Sequence, residues 1–246
     1  MTASELRNEI QRFVGLLFQH ELAVAHNPVV IEEGARHMRT VTWRPPATTG
    51  DVKEAAEFCT VAEYRWLIRN AHYTCLLRDG GLLQMTFSLL RETPVRHRLC
   101  YYPCPVVINE EDFELTEDVG ELFDYLLEQD AKAFLLPEGT ETARLRLRSP
   151  IRFEFEPTQE SADHPATHLH THHNDCRWAV FGPLSLGHFV RFVFKNFYPD
   201  AWAKNEFLRT WRLEWGGRSI RLEQEEGLYV DSRQRGLAAR LKRALG

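Results

Sequence analysis

Six of the eleven histidines fall between residues 164 and 188. His168, His170 and His172 are spaced by two, so on a strand all three imidazoles would project from one face. Imidazoles with a carboxylate are a common ligand set for zinc, iron or manganese, and Asp163, His164, Asp175 and Cys176 lie close by. The spacing fits neither of two known motifs. Histidine-triad nucleotide hydrolases alternate His with apolar residues, whereas Thr171, His173 and Asn174 are polar. Cupins follow His-x-His with an acid and a Gly, for which Asp175 and Gly182 stand at suitable distances, but residues 185–198 read as a helix where a cupin needs strands. The opposing reading of the His164–His173 cluster is a polar edge strand or loop whose imidazoles bond to backbone.

Arg96, His97, Arg98 and Arg177 form a second group. Guanidinium binds phosphate and carboxylate bidentately, so these side chains could hold a polyanion; the opposing reading is a strand that solvates its outer face. A third group is the basic end of the chain, Arg233, Arg235, Arg240, Lys242 and Arg243, where the last fourteen residues carry no acid. Leu237, Leu241 and Leu245 recur at four-residue spacing, as in a short basic amphipathic helix suited to nucleic-acid phosphates or a partner protein. The alternative is a solvated last helix whose cations complement its own dipole. Cys100 and Cys104 would need two further thiolates to hold structural zinc, and buried free thiols are the simpler reading. No Walker A loop, dinucleotide fingerprint, nucleophile elbow or His-Glu-x-x-His occurs, so ATP- and NAD-dependent chemistry and zincin proteolysis are not expected.

These groups must be carried by a folded scaffold. Of 246 residues, 43% are apolar and 26% charged, enough for a core and unlike a disordered chain. The net charge is −5, and without the five cations of the tail it is −10, so the charge is asymmetric. No apolar run approaches the roughly 18 residues of a membrane helix, charges interrupt the first twenty residues, and five cysteines give no disulfide framework. A cytoplasmic protein is expected.

Apolar residues at helical spacing predict helices over 4–20, capped by Ser4, and over 60–69, where Thr60 and Glu63 have capping-box spacing. Helices are also predicted over 118–129 and 185–198. Short strands are predicted at 29–31 and 41–43. The segments 73–77, 82–90 and 95–102, separated by Asp79-Gly80-Gly81 and Glu92-Thr93-Pro94, predict a three-strand antiparallel meander. Leu145, Leu147, Ile151, Phe153 and Phe155 alternate as in a half-buried strand interrupted by Pro150.

Several segments in this order resemble one bacterial family. They are Asp79-Gly80-Gly81-Leu82-Leu83-Gln84, Arg96-His97-Arg98-Leu99-Cys100-Tyr101-Tyr102-Pro103 and Ile151-Arg152-Phe153-Glu154-Phe155, then His164-Pro165, His168-Leu169, Cys176-Arg177, Gly182-Pro183-Leu184 and Phe197-Tyr198-Pro199. The family consists of uncharacterised proteins defined by a domain of unknown function, and the resemblance spans roughly residues 5 to 225. It implies no reaction, and it emphasises His164 and His168 more than His170 to His173.

The expected fold is α+β: a largely antiparallel sheet with the meander, flanked by helices, in one domain over 1–230 followed by a basic helix or tail over 231–246. The first expected function is an accessory or interaction protein of a bacterial defence or nucleic-acid-processing system, which binds a polyanion or a defence-system partner through its Arg/His surface. The alternative is a metal-dependent hydrolase of a phosphodiester or nucleotide that uses the histidine cluster, with His164, His168 and Arg177 as candidate catalytic residues.

Overall fold

A computed structural model describes residues 1–44, 60–116, 118–133, 144, 146–161, 164–173, 175–180 and 182–211. The basic tail at 231–246, Asp163 and Cys59 lie outside the described residues.

The chain opens with helix α1 (Ala3–Gln19), whose N-cap is Thr2 and not Ser4. Thr2 Oγ1 accepts from Glu5 N–H and Glu5 bonds back to Thr2 N–H, a reciprocal box that Ser4, already inside the helix, could not make. Strands β1 (Ala23–His26), β2 (Val29–Glu33) and β3 (Met38–Trp43) follow, and β2 and β3 form a hairpin. Helix α2 (Val61–Arg69) starts where Thr60 Oγ1 accepts from Glu63 N–H. The meander is β4 (Cys75–Leu77), β5 (Leu82–Leu90) and β6 (Thr93–Tyr102), joined as the turn residues predict.

After helix α3 (Val119–Ala133) comes β7 (Ile151–Phe155). The strand begins only after Pro150, and Leu147 is fully exposed, so the described part of the predicted run shortens to its second half, Leu145 lying outside the described residues. Proline cannot donate into a ladder, which ends the pairing there. The histidine segment forms β8 (Thr167–Thr171), a true strand between β7 and β9 (Arg177–Ala179). Helices α4 (Leu186–Phe197), α5 (Pro199–Lys204) and α6 (Glu206–Thr210) complete the described chain, with Ser185 capping α4 through His188 N–H.

All nine strands of the described residues form one antiparallel sheet in the order β1-β4-β5-β6-β7-β8-β9, with β3 pairing the far half of β5. The fold is α+β. One sheet face is apolar. Leu83, Met85, Phe87, Leu99, Tyr101, Phe153 and Leu169 bury there against α1 and α4, where Phe153 meets Phe189 and Phe192, and Phe13 meets Phe194. Fully burying such side chains stabilises the fold by about 1.5–3 kcal/mol each. The other face is covered at one end by α2 and α3, which pack on Leu82, Cys100 and Tyr102. Beyond that cover its residues are polar.

Three of the motif segments converge on the β4–β5 turn. Tyr198 OH, at the junction of α4 and α5, donates to Asp79 Oδ1 at 3.0 Å and stands 3.0 Å from Tyr101 OH on β6. Gly81 N–H donates to Asp79 Oδ1, and a side chain at Gly81 would collide with Tyr198 OH. Gly80 has φ +82°, and a Cβ there would sit 2.9 Å from that of Cys104. Only glycine satisfies both demands.

Candidate metal centre

The polar face is built by strand alternation. In the ladder Arg98 pairs with Glu154 and Glu154 with His168, while Cys100 pairs with Arg152, Arg152 with His170 and His170 with Arg177. Direct partners project to the same side of a sheet. Two rows of charged and imidazole side chains therefore run across β6 to β9.

At their centre is Glu154. Its Oε1 accepts from Arg98 Nε at 2.7 Å and faces Arg152 Nε at 2.9 Å. Its Oε2 lies 3.3 Å from His168 Nε2 and 3.3 Å from His170 Nε2. The ligand atoms of Glu154, His168 and His170 lie within 4.8 Å of one another. Burial alone would raise the Glu154 carboxyl, but the two imidazoles and the Arg152 and Arg98 guanidiniums reverse this and hold it far below the usual carboxylate range. The carboxylate is anionic at any physiological pH.

His168 is fully buried, and its Nδ1 stands 2.7 Å from the Pro165 carbonyl. A carbonyl only accepts, so Nδ1 donates to Pro165 and Nε2 is the nitrogen that faces Glu154. His170 is also buried, and burial depresses its pKa, which favours the neutral ring. His164 packs edge-to-face on His168, with ring centroids 4.6 Å apart, and burial beside His168 lowers its pKa as well.

The expected residues divide as follows. His164, His168, His170, Arg98 and Arg177 come to one face. His172 does not join them: it lies past the end of β8 with φ +65°, exposed, its backbone N–H donating to Ser149 Oγ. The period of two ends with the strand. His97 lies on the opposite, apolar face, where its Nε2 accepts from Leu184 N–H at 2.8 Å and burial depresses its pKa to about 3. Its alternation with Arg96 and Arg98 separates it from them. Arg96 pairs with Glu156 at 2.5 Å, and Arg177 Nη1 is 3.6 Å from Asp175 Oδ1. Arg96, Arg98 and Arg177 thus each have a carboxylate neighbour. Arg233, Arg235, Arg240, Lys242 and Arg243 lie outside the described residues.

Glu154 and Arg152 are the site residues that the histidine spacing does not reveal. Their signal is in Ile151-Arg152-Phe153-Glu154-Phe155, where strict alternation places both charges on the face away from the phenylalanines.

No helix among the described residues is long and apolar enough to cross a membrane. No curated protein and no solved structure matches the chain. A family model does match, over residues 22–231, and its description is an uncharacterized conserved protein, DUF2290. The chain belongs to that family.

Proposed function

We propose that Glu154, His168 and His170 bind a divalent metal and that the protein is a metal-dependent hydrolase acting on a phosphodiester or nucleotide. The observation that carries this reading is the convergence of one ligand atom each from Glu154, His168 and His170 within 4.8 Å of one another, with both histidines buried. Three features favour a metal ion. Two imidazoles and one carboxylate make a ligand set for zinc, iron or manganese. With bonds of ~2.1 Å, ligand atoms stand ~3.0 Å apart on an octahedral edge and ~3.4 Å on a tetrahedral one, which brackets the two 3.3 Å carboxylate–imidazole separations. The outer contacts are those of a ligand shell: the Pro165 carbonyl orients His168, and Arg98 and Arg152 take one carboxylate oxygen and leave the other.

The same guanidiniums give the chemistry its direction. A metal held by three protein atoms keeps positions for water and substrate, and it would activate that water for attack on phosphorus. Arg98, Arg152 and Arg177 favour an anionic substrate beside it, since guanidinium matches phosphate oxygens. Metal analysis of protein purified without chelator tests the reading, with zinc, iron and manganese measured separately. About one metal per chain, lost in Glu154→Gln and His168→Ala, is expected, as is metal-dependent release of product from a phosphodiester or nucleotide. Protein that is metal-free and does not take up any of the three ions overturns it.

A further inference from the structure

A second feature is an aromatic cluster joined to the polar face through Gln84, which bonds to His72 and pairs with Cys100. Trp43 at the end of β3, Trp66 on α2 and His72 just after α2 meet ring to ring. The Trp43 and His72 centroids are 5.3 Å apart at 89°, and those of Trp66 and His72 are 5.1 Å apart at 51°. Trp43 and His72 are each only 7% exposed, whereas Trp66 is half-buried.

Both buried rings carry a nitrogen that lacks a partner. Among the described residues, Trp43 Nε1 and His72 Nε2 find no hydrogen-bond partner. Gln84 defines what His72 offers. The Gln84 amide nitrogen donates to the His72 carbonyl at 2.6 Å and approaches His72 Nδ1 at 3.4 Å. An amide NH₂ only donates, so Nδ1 is the accepting nitrogen and Nε2 carries the proton. Burial lowers the pKa of His72, so the ring is neutral. The cluster therefore holds two buried N–H donors without acceptors among the described residues, each a cost of the kind that native proteins rarely leave uncompensated. A cation would not meet that need. A flat molecule with ring nitrogens and carbonyl oxygens would, and indole rings are its usual stacking surface.

The register relates this cluster to the metal centre. Gln84 pairs with Cys100 on β6, Cys100 pairs with Arg152 on β7, and Arg152 flanks Glu154. Arg98 is near enough for its charge to act on His72. Two strand spacings, ~10 Å, separate the Gln84 position from the row of Arg152 and Glu154. A nucleotide spans a similar distance from its base to its phosphate.

We infer that Trp43, Trp66 and His72 form the seat of a nucleobase, so that the substrate handled at Glu154, His168 and His170 is a nucleotide. The inference rests on the proposed function for its phosphate end, and on Trp43 and His72 for its base end. Calorimetric titration of the metal-supplemented protein tests it, with the four ribonucleoside 5′-monophosphates as probes and ribose 5-phosphate and inorganic phosphate as probes without a base. At least one nucleotide should bind about tenfold more tightly than ribose 5-phosphate. Trp43→Phe and His72→Phe each keep a ring and remove a donor, so each should weaken that nucleotide by about threefold to tenfold and leave phosphate affinity unchanged. Trp66→Leu, at the half-buried position, gives a stacking readout that is less dependent on the core. Equal binding of ribose 5-phosphate and all four nucleotides overturns the base seat, as does unchanged nucleotide affinity in all three variants. Base-selective binding by a protein that takes up no metal would overturn the metal centre and uphold the base seat.

Discussion

Glu154 and His168 face each other as direct cross-strand partners on β7 and β8, with Oε2 and Nε2 3.3 Å apart. The Pro165 carbonyl accepts from the other ring nitrogen at 2.7 Å and fixes the ring. The carboxylate cannot turn away without leaving Arg98 and Arg152. The pair is locked by neighbours that are not themselves ligands, an arrangement suited to receiving a cation.

The histidines of the segment should therefore differ sharply under substitution. His168→Ala and His170→Ala are expected to abolish stoichiometric metal uptake, because each removes one of three ligands. His172→Ala is expected to retain it, since that side chain is exposed beyond the strand. Elemental analysis of the three variants, each checked for a cooperative melt, is the measurement. Loss of metal in His172→Ala would contradict the geometry.

The Asp79–Tyr198 contact ties α4 and α5 to the meander, and Tyr198→Phe deletes the hydroxyl that serves both Asp79 and Tyr101. Leaving a carboxylate and a phenol short of a partner should cost about 1–3 kcal/mol, measurable as a lowered denaturation midpoint at unchanged slope.

Gly80→Ala should cost about 1–2 kcal/mol or more, because alanine meets both a left-handed backbone and the Cys104 side chain. Glycine and alanine forms can be compared by urea denaturation. Equal stabilities would mean that the turn relaxes freely.

His97 gives the pH dependence of stability a definite sign. Its folded-state pKa is depressed to about 3 by burial, against roughly 6.5 for the unfolded chain. Between those values only the unfolded state takes up the proton, so this contribution is fully present above about pH 6.5 and is lost as pH falls. From pH 6.5 to 5 the loss is ~2 kcal/mol. His97→Gln does not titrate and retains an acceptor for Leu184 N–H, so the difference in its stability between pH 7 and pH 5 should shrink by about that amount. An identical pH profile in wild type and variant would rule out His97 as the titrating group.

The elements were legible in the sequence wherever local pattern decides structure. The meander follows from apolar segments punctuated by Asp79-Gly80-Gly81 and Glu92-Thr93-Pro94, and α1, α2, α3 and α4 follow from apolar spacing, because periodicity records which face is buried. The spacing of His168 and His170 puts both on one side if their segment is a strand, and β8 is that strand. Its last expected member, His172, was lost because the end of a strand depends on its neighbours: β7 stops at Ile151, after Pro150, and Thr171 is the last residue with a ladder partner. Strand β9, only three residues long, exists because β8 offers an edge. The partner carboxylate could not be found from spacing around the histidines. Glu154 is 14 residues before His168, and only the antiparallel register between β7 and β8 makes them neighbours. Sequence determines which side chains share a face of a strand. Tertiary structure alone decides which strands lie side by side, and so which carboxylate meets which imidazole, because pairing register is set by burial of the Phe153 and Leu169 face against α4 and not by any local preference of the charged residues.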